Sequence, residues 1–297
     1  MTIKTIGIVG TGDMGSALGR SLISHGVKVV TSCHGRSLHS KNLAIQAGFD
    51  VLDSLSDVIE ICDVFLSVVP PKYAYDLAKN VSDAVQSADR VQFYVDCNAI
   101  SPATTKAIGD VISKAGAIYV DAGIIGPPPG IGVAPRFYVC GPKAKQLLVL
   151  DSMEIKVHYL GDNIGLASGL KMIYSGINKG FNALSILSYS AAVKMGLEGE
   201  FENELQNSLP WMKKRIDGQL PYLPINAGRW IDEMREIASC MQDLELPPDF
   251  HNGAAIMFEL LKMTPYAAET RQTFNNKRTS SDVAKACVEA SNKGGEL

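Results

Sequence analysis

The chain has 297 residues, 46% of them hydrophobic and 20% charged, with a formal net charge of −3. That is enough apolar material for one large core or two domains, and a slightly acidic balance with no basic run excludes the electrostatic footprint of a nucleic-acid or anionic-membrane binder. Six cysteines (Cys33, Cys62, Cys97, Cys140, Cys240 and Cys287) are scattered without a CxxC pair, which argues against a zinc site or a disulfide frame and for reduced thiols.

At the start, MTIKTIGIVG runs directly into strand-like sequence, so no signal peptide is expected. No apolar stretch reaches membrane-spanning length, so a cytoplasmic protein is expected. Strand-like runs follow at 5–10 (TIGIVG), 27–31 (VKVVT), 64–70 (VFLSVVP), 91–96 (VQFYVD), 117–123 (AIYVDAG) and 136–141 (RFYVCG). Most are β-branched and continuous in hydrophobicity, the pattern of strands buried on both faces. Helical patterns lie between them, such as GSALGRSLISHG and SPATTKAIGDVISKAG; the second has Ser101 at its cap and Pro102 at its first helical position. This alternation predicts a doubly wound, mainly parallel sheet. After VHYLGDN the strand signal stops, and a long Pro-free helix is predicted from Ile164 to Met195. Further helices are predicted in RWIDEMREIASCMQDL and NGAAIMFELLKM, while the polar tail from NNKRTSS onward carries little information. The expected domains are an α/β domain over 1–162 and an all-helical domain over 163–297, joined by the long helix. There are no internal repeats and no low-complexity segment.

GIVGTGDMGSALG sets Gly10, Gly12 and Gly15 in GxGxxG spacing between a predicted strand and a predicted helix. The first glycine allows the tight turn, the second lets a pyrophosphate approach the backbone, and the third brings helix and strand together, with the helix N-terminus facing the anion. In that context the motif predicts a dinucleotide-binding domain of Rossmann type. An NAD site usually offers a carboxylate about 20 residues on, for the ribose hydroxyls. Here that place reads VVTSCHGRS, and no Asp or Glu lies between Asp13 and Asp50. Ser32, His34, Arg36 and Ser37 offer hydroxyls and cationic donors that suit a 2′-phosphate, so NADP is favoured over NAD. The competing reading is a solvated turn with Arg36 pointing outward.

GLASGLKMIYSGINKG places Lys171 early in the long helix. At the helical repeat Ser175 lies about 40° from it and Asn178 about 20°, so the three share a face, with Tyr174 flanking it and Lys179 about 80° away. A lysine partly removed from water has a lowered pKa and can exchange a proton near neutrality. Against this stands a snorkelling surface lysine.

The opening GIVGTGDMG, the strand end VDCNAISP, the loop VDAGIIG and the helix entry GLASGLK occur in one order that resembles the β-hydroxyacid dehydrogenase superfamily, which includes 6-phosphogluconate and 3-hydroxyisobutyrate dehydrogenases. The second half, with LKMIYSGINKG, RWIDEMREIA and HNGAA, resembles a poorly characterised branch that has its own helical C-terminal domain. The resemblance implies that Lys171 is the catalytic acid/base, that the long helix joins the domains, and that C-terminal helices form a homodimer. Two departures stand out. Ser175 occupies a position where the superfamily usually has asparagine, for which Asn178 one turn on is a substitute, and Asn98 replaces a serine at the DCNA strand end. Asn98 is expected to touch cofactor or substrate, or else to bond its own turn. The expected cofactor-facing set is Gly10, Thr11, Gly12, Asp13, Met14, Gly15, Ser32, His34, Arg36, Val69, Pro70 and Asn98.

GIIGPPPGIG replaces the superfamily's Ser-Gly-Gly substrate loop with Ile125-Gly126-Pro127. Pro127, Pro128 and Pro129 have no N–H, so only Ile125, Gly126 and Gly130 can donate, and the loop reads as a pre-ordered wall or as a rigid surface turn. Alanine at Gly126 is expected to crowd the substrate. Arg136 and Arg229 can each orient a carboxylate or form a surface ion pair, and His251 can face the cleft or serve as a cap. Substrate-facing residues are thus expected to be Asn98, Ile125, Gly126, Tyr174, Ser175, Asn178, Arg229 and His251, with no metal. The function expected is NAD(P)-dependent hydride transfer to or from a small hydroxy acid, sugar acid or matching ketone. Reduction of a C=N bond, as in imine reductases, and non-catalytic dinucleotide binding remain as alternatives.

Overall fold

The computed structural model describes residues 3–88, 93–271 and 273–293. Its strands are β1 (Thr5–Val9), β2 (Lys28–Ser32), β3 (Asp50–Leu52), β4 (Val64–Ser67), β5 (Phe93–Asp96), β6 (Ile118–Ile125), β7 (Arg136–Cys140) and β8 (Lys156–Tyr159). Its helices are α1 (Asp13–Ser24), α2 (Leu38–Gln46), α3 (Leu55–Ile61), α4 (Ala74–Gln86), α5 (Pro102–Lys114), α6 (Leu166–Met195), α7 (Glu198–Ser208), α8 (Pro210–Gln219), α9 (Leu223–Asp243), α10 (Asp249–Lys262) and α11 (Ser280–Lys293).

The strands form one eight-stranded sheet in the order β3-β2-β1-β4-β5-β6-β7-β8. From β3 to β6 all neighbours are parallel, β7 runs antiparallel to β6, and β8 is parallel to β7. A mainly parallel α/β half followed by a helical half is the fold class that the sequence predicts. Helices cover both faces of the sheet, so successive residues of each central strand enter two different cores. Ile6, Ile8, Val64, Leu66, Phe93, Val95 and Val120 lie in one with Leu18 and Leu22 of α1. Val9, Phe65, Tyr94 and Tyr119 lie in the other with Val58, Leu77 and Ile108 of α3, α4 and α5. Phe65, Tyr94 and Tyr119 are neighbours in register, and their rings stack at centroid distances of 5.5 and 5.9 Å.

Helix starts follow local chemistry. Ser101 Oγ accepts from Thr104 N at 3.2 Å, with Pro102 opening α5, and Ser54 and Asp57 form a capping box at α3. The structure adds elements that the sequence pattern did not mark. β3 is only three residues long, and β8 lies in the VHYLGDN stretch that closes the strand signal. The polar tail contains α11, whose buried stripe is made of Val283, Ala284, Cys287 and Ala290. Val91 and Gln92 of the predicted 91–96 strand lie outside the described residues.

The chain divides into two compact units, Met1–Met172 and Ile173–Leu297, so the division falls within α6 where the sequence suggested 162/163. In the second unit α9 and α10 pack on each other, and Ile231, Met234 and Ile237 of α9 and Phe258 and Leu261 of α10 are buried. Trp230 meets Phe258 edge-on at 5.3 Å. No helix among the described residues is long and apolar enough to cross a membrane.

Candidate active site

The strand order reverses at β1 and β4, and open α/β sheets bind ligands outside the carboxyl ends of their strands at such a switch point. Register aligns Val9, Ser67, Asp96 and Asp121 in one row across β1, β4, β5 and β6, so the segments after them open along one edge. Gly10 follows β1 with φ +104, and a Cβ there would lie 2.0 Å from Val68 O. A Cβ on Gly15 would lie 2.0 Å from Gly10 O, which is the close helix–strand approach the motif implies. A Cβ on Gly12, by contrast, would meet nothing within 4 Å, and this glycine is itself the N-cap residue of α1 and has no side chain to cap it. Asp13 is exposed in the first turn, and Met14 is half-buried against the core. The turn is braced from behind: Ser16 Oγ donates to Thr11 O at 2.8 Å, and Thr11 Oγ1 donates to Ser40 O at 2.8 Å.

The second bond ties the glycine turn to the segment after β2. Ser32 is buried at the strand end and accepts from His34 N at 3.4 Å, while Arg36 N donates to Cys33 O at 3.0 Å. Gly35 has φ +68, and His34, Gly35, Arg36 and Ser37 are exposed. Ser37 caps α2, accepting from Ser40 N at 3.2 Å. Burial raises the Cys33 thiol pKa, and the nearby Lys41 and Arg36 charges oppose that rise.

Beside the switch point, Asn98 is buried and its side chain is used structurally. Its Oδ1 accepts from Val69 N at 2.7 Å and its Nδ2 donates to Ser67 Oγ at 2.8 Å, while its own N–H donates to Asp96 Oδ1 at 3.0 Å. This network holds Val69, which is buried, and the exposed Pro70 after it. Burial pushes the Asp96 carboxyl up to about 7.

Lys171 Nζ, from α6, donates to Ile124 O on β6 at 2.5 Å. Lys171 is half-buried, not a free surface lysine. Ile125 is buried at the end of β6, and Gly126 follows with φ +128. A Cβ on Gly126 would approach Pro135 Cα at 3.1 Å, so alanine there strains the loop itself. Pro127 is exposed, Pro129 is buried, and Ile131 N closes the turn onto Pro128 O at 3.2 Å. Arg136 opens β7, in register with Ile125.

The remaining expected residues belong to the second unit. Tyr174 is exposed and Ser175 is buried. Asn178 Oδ1 accepts from Arg215 Nη2 at 2.6 Å, so a guanidinium already occupies its oxygen. Arg229 is exposed and donates to Asn226 Oδ1 at 2.9 Å, within its own helix. His251 lies against Gly176, where a Cβ would come 3.0 Å from Nε2. Its Nδ1 is buried without a hydrogen bond among the described residues, and burial lowers its pKa. Lys179, set apart on sequence grounds, is buried and paired with Glu233.

Residues 5–155 match the family described as the NAD binding domain of 6-phosphogluconate dehydrogenase. The chain belongs to this family. Residues 192–261 match a domain of unknown function, DUF1932. An uncharacterised 28.5 kDa protein of Methanothermus fervidus is 29% identical over 250 residues, covering 82% of this chain and 93% of that protein. Rat mitochondrial 3-hydroxyisobutyrate dehydrogenase is 24% identical over 214 residues, covering 69% of this chain and 61% of the rat protein. Among solved structures, MTH1747, a conserved protein of unknown function described as similar to 3-hydroxyacid dehydrogenases, has a TM-score of 0.66 at 29% identity and covers 87% of this chain and 96% of its own. This family member is therefore a nicotinamide-cofactor-binding, hydroxyacid-dehydrogenase-like protein.

Sequence reasoning passed over the residues that hold the site together. Asp121 is buried, and its carboxylate accepts from Gly165 N, Ser168 N and Ser168 Oγ at the start of α6. Ser67 receives the Asn98 amide. The available signal was a lone acidic residue inside an apolar strand, IYVDAGII, because a buried carboxylate demands donors. Among the described residues there is no group of three His, Cys, Asp or Glu that could hold a metal ion.

Proposed function

We propose that this chain is an NADP-dependent oxidoreductase that transfers hydride between the nicotinamide and a small hydroxy acid, sugar acid or matching ketone, with Lys171 as acid/base. The observation that carries this reading is the Lys171 ammonium bonded to Ile124 O on β6, beyond the row that ends β1, β4 and β5. An amine anchored at the carboxyl edge is where proton exchange with a bound substrate is needed.

The residues fit the cofactor. Gly12 leaves open space at the N-terminus of α1, which suits a pyrophosphate, and the exposed His34, Arg36 and Ser37 suit a 2′-phosphate. When bound, the nicotinamide donates or accepts the hydride. In reduction, the Lys171 ammonium gives a proton to the carbonyl oxygen. In oxidation, the neutral amine takes the hydroxyl proton. Ile125 and Gly126 offer backbone donors to a substrate carboxylate, without the hydroxyl of a serine loop. The similarity to the rat 3-hydroxyisobutyrate dehydrogenase supports the hydroxy-acid class.

The test is a panel of hydroxy acids, sugar acids and the matching ketones, assayed with NADP(H) and NAD(H). Turnover of at least one member with preference for NADP(H) is expected. Tight NADPH binding with no turnover on any member would replace the reading by a non-catalytic dinucleotide binder.

A further inference from the structure

We propose that Asp121, together with Cys140, is a positioning residue that seats the first turn of α6 on β6 and so sets where the Lys171 amine stands. The helix entry is held by side chains from the sheet. Asp121 Oδ2 accepts from Gly165 N at 2.9 Å, Asp121 Oδ1 accepts from Ser168 N at 3.1 Å, and Ser168 Oγ donates to Oδ2 at 3.2 Å. Ala167 N donates to Cys140 Sγ at 3.3 Å, and that thiol donates in turn to Asp121 Oδ2 at 3.1 Å. Helix N-termini are usually capped by the residue that opens them. Here the acceptors stand on β6 and β7, far away in sequence, so the bonds fix a tertiary relationship and not merely a helix end. A carboxylate also complements the positive end of the helix dipole.

Two more contacts make the arrangement a template. A Cβ on Gly123 would lie 2.6 Å from Ala167 O and 3.2 Å from Lys171 Cβ, so the backbone of β6 is in direct contact with the first turns of α6. One residue further along, Ile124 O receives Lys171 Nζ. Asp121, Gly123 and Ile124 thus hold the helix and its lysine from a single strand. Because a helix is stiff, a slip at Ser168 is carried to Lys171, and a displacement near 1 Å is enough to misplace a proton carrier.

The importance of this clamp to catalysis rests on the reading of Lys171 given above, but its test needs no substrate. Trace acetylation of the intact protein across a pH series, with each lysine followed by peptide mass spectrometry, reports the apparent pKa and reactivity of Lys171 against Lys28 and Lys114 as internal references. In Asp121→Asn, which keeps the shape but loses the charge and one acceptor, Lys171 reactivity at fixed pH is expected to change by about tenfold or more, since bonds to a charged group are lost. Cys140→Ala and Ser168→Ala are expected to give smaller changes in the same direction, with the reference lysines unmoved in all three. Lys171 labelling unchanged in folded Asp121→Asn would overturn the proposal. Should that variant not fold, unchanged labelling in folded Ser168→Ala and Cys140→Ala would overturn it equally. An NADPH titration of the same variants reads the glycine turn separately, so failure of the cofactor reading and failure of the clamp are distinguishable.

Discussion

Asn98 Oδ1 accepts the Val69 backbone N–H at 2.7 Å, joining the end of β5 to the segment that leaves β4 beside the switch point. The same side chain donates to Ser67 Oγ, so removing it leaves a buried N–H and a buried hydroxyl without their partner. Asn98→Ala is expected to cost about 1–3 kcal/mol in thermal or urea unfolding and to weaken NADPH binding through the loosened Val69–Pro70 segment. Unchanged stability with normal NADPH affinity would show that the network is dispensable.

The three glycines of the N-terminal turn separate fold from ligand. At Gly10 and Gly15 a methyl group would meet backbone oxygens at 2.0 Å, so alanine at either is expected to destabilise the protein by about 1–3 kcal/mol. Gly12 has φ −74 and open space, so Gly12→Ala should remain within about 0.5 kcal/mol of the parent. It should nevertheless bind NADPH at least about tenfold more weakly, because the methyl occupies the pyrophosphate approach. Calorimetric melting alongside NADPH fluorescence titration would read both effects.

Arg36 is an exposed cation in the turn after β2. Arg36→Ala is expected to raise the NADPH dissociation constant by about tenfold, the loss of one charge-assisted contact, while leaving NADH unchanged. A parallel loss for both cofactors would mean that Arg36 supports the turn rather than reading a 2′-phosphate.

Much of this architecture is legible in the chain itself, because its signals are local. Apolar runs rich in β-branched or aromatic residues mark β1, β2, β4, β6 and β7; Ser101-Pro102 marks the start of α5; and Gly10, Gly12 and Gly15 mark the turn. Where signals are faint, elements disappear from view. β3 has three residues, and the buried stripe of α11, Val283, Ala284, Cys287 and Ala290, is mostly small residues. The supports of the site are illegible for a different reason. Asp121 meets Ser168, and Cys140 meets Ala167, only after β6, β7 and α6 have been brought together. Lys179 lay off the predicted face and yet is buried, because Glu233 on α9 compensates its charge.

Asp96 supplies a pH signature. Burial raises its pKa from 3.8 to about 7, with the Asn98 N–H opposing the rise. A raised carboxylate pKa means that the folded chain holds this proton more tightly than the unfolded chain does. Its contribution to stability is therefore greatest below about pH 4, falls as pH rises towards about 7, and is flat above. Asp96→Asn, neutral at every pH, is expected to gain on the parent by about 1–4 kcal/mol between pH 4 and pH 8. Chemical denaturation at a series of pH values would reveal a constant difference if Asp96 were ionised throughout.

The most direct measurement compares kcat/KM and the NADPH dissociation constant of Lys171→Ala with those of the parent, on whichever substrate the panel yields. Loss of the proton carrier predicts a fall in kcat/KM of about 10²–10⁴-fold with NADPH affinity unchanged. Undiminished turnover in Lys171→Ala would contradict the account.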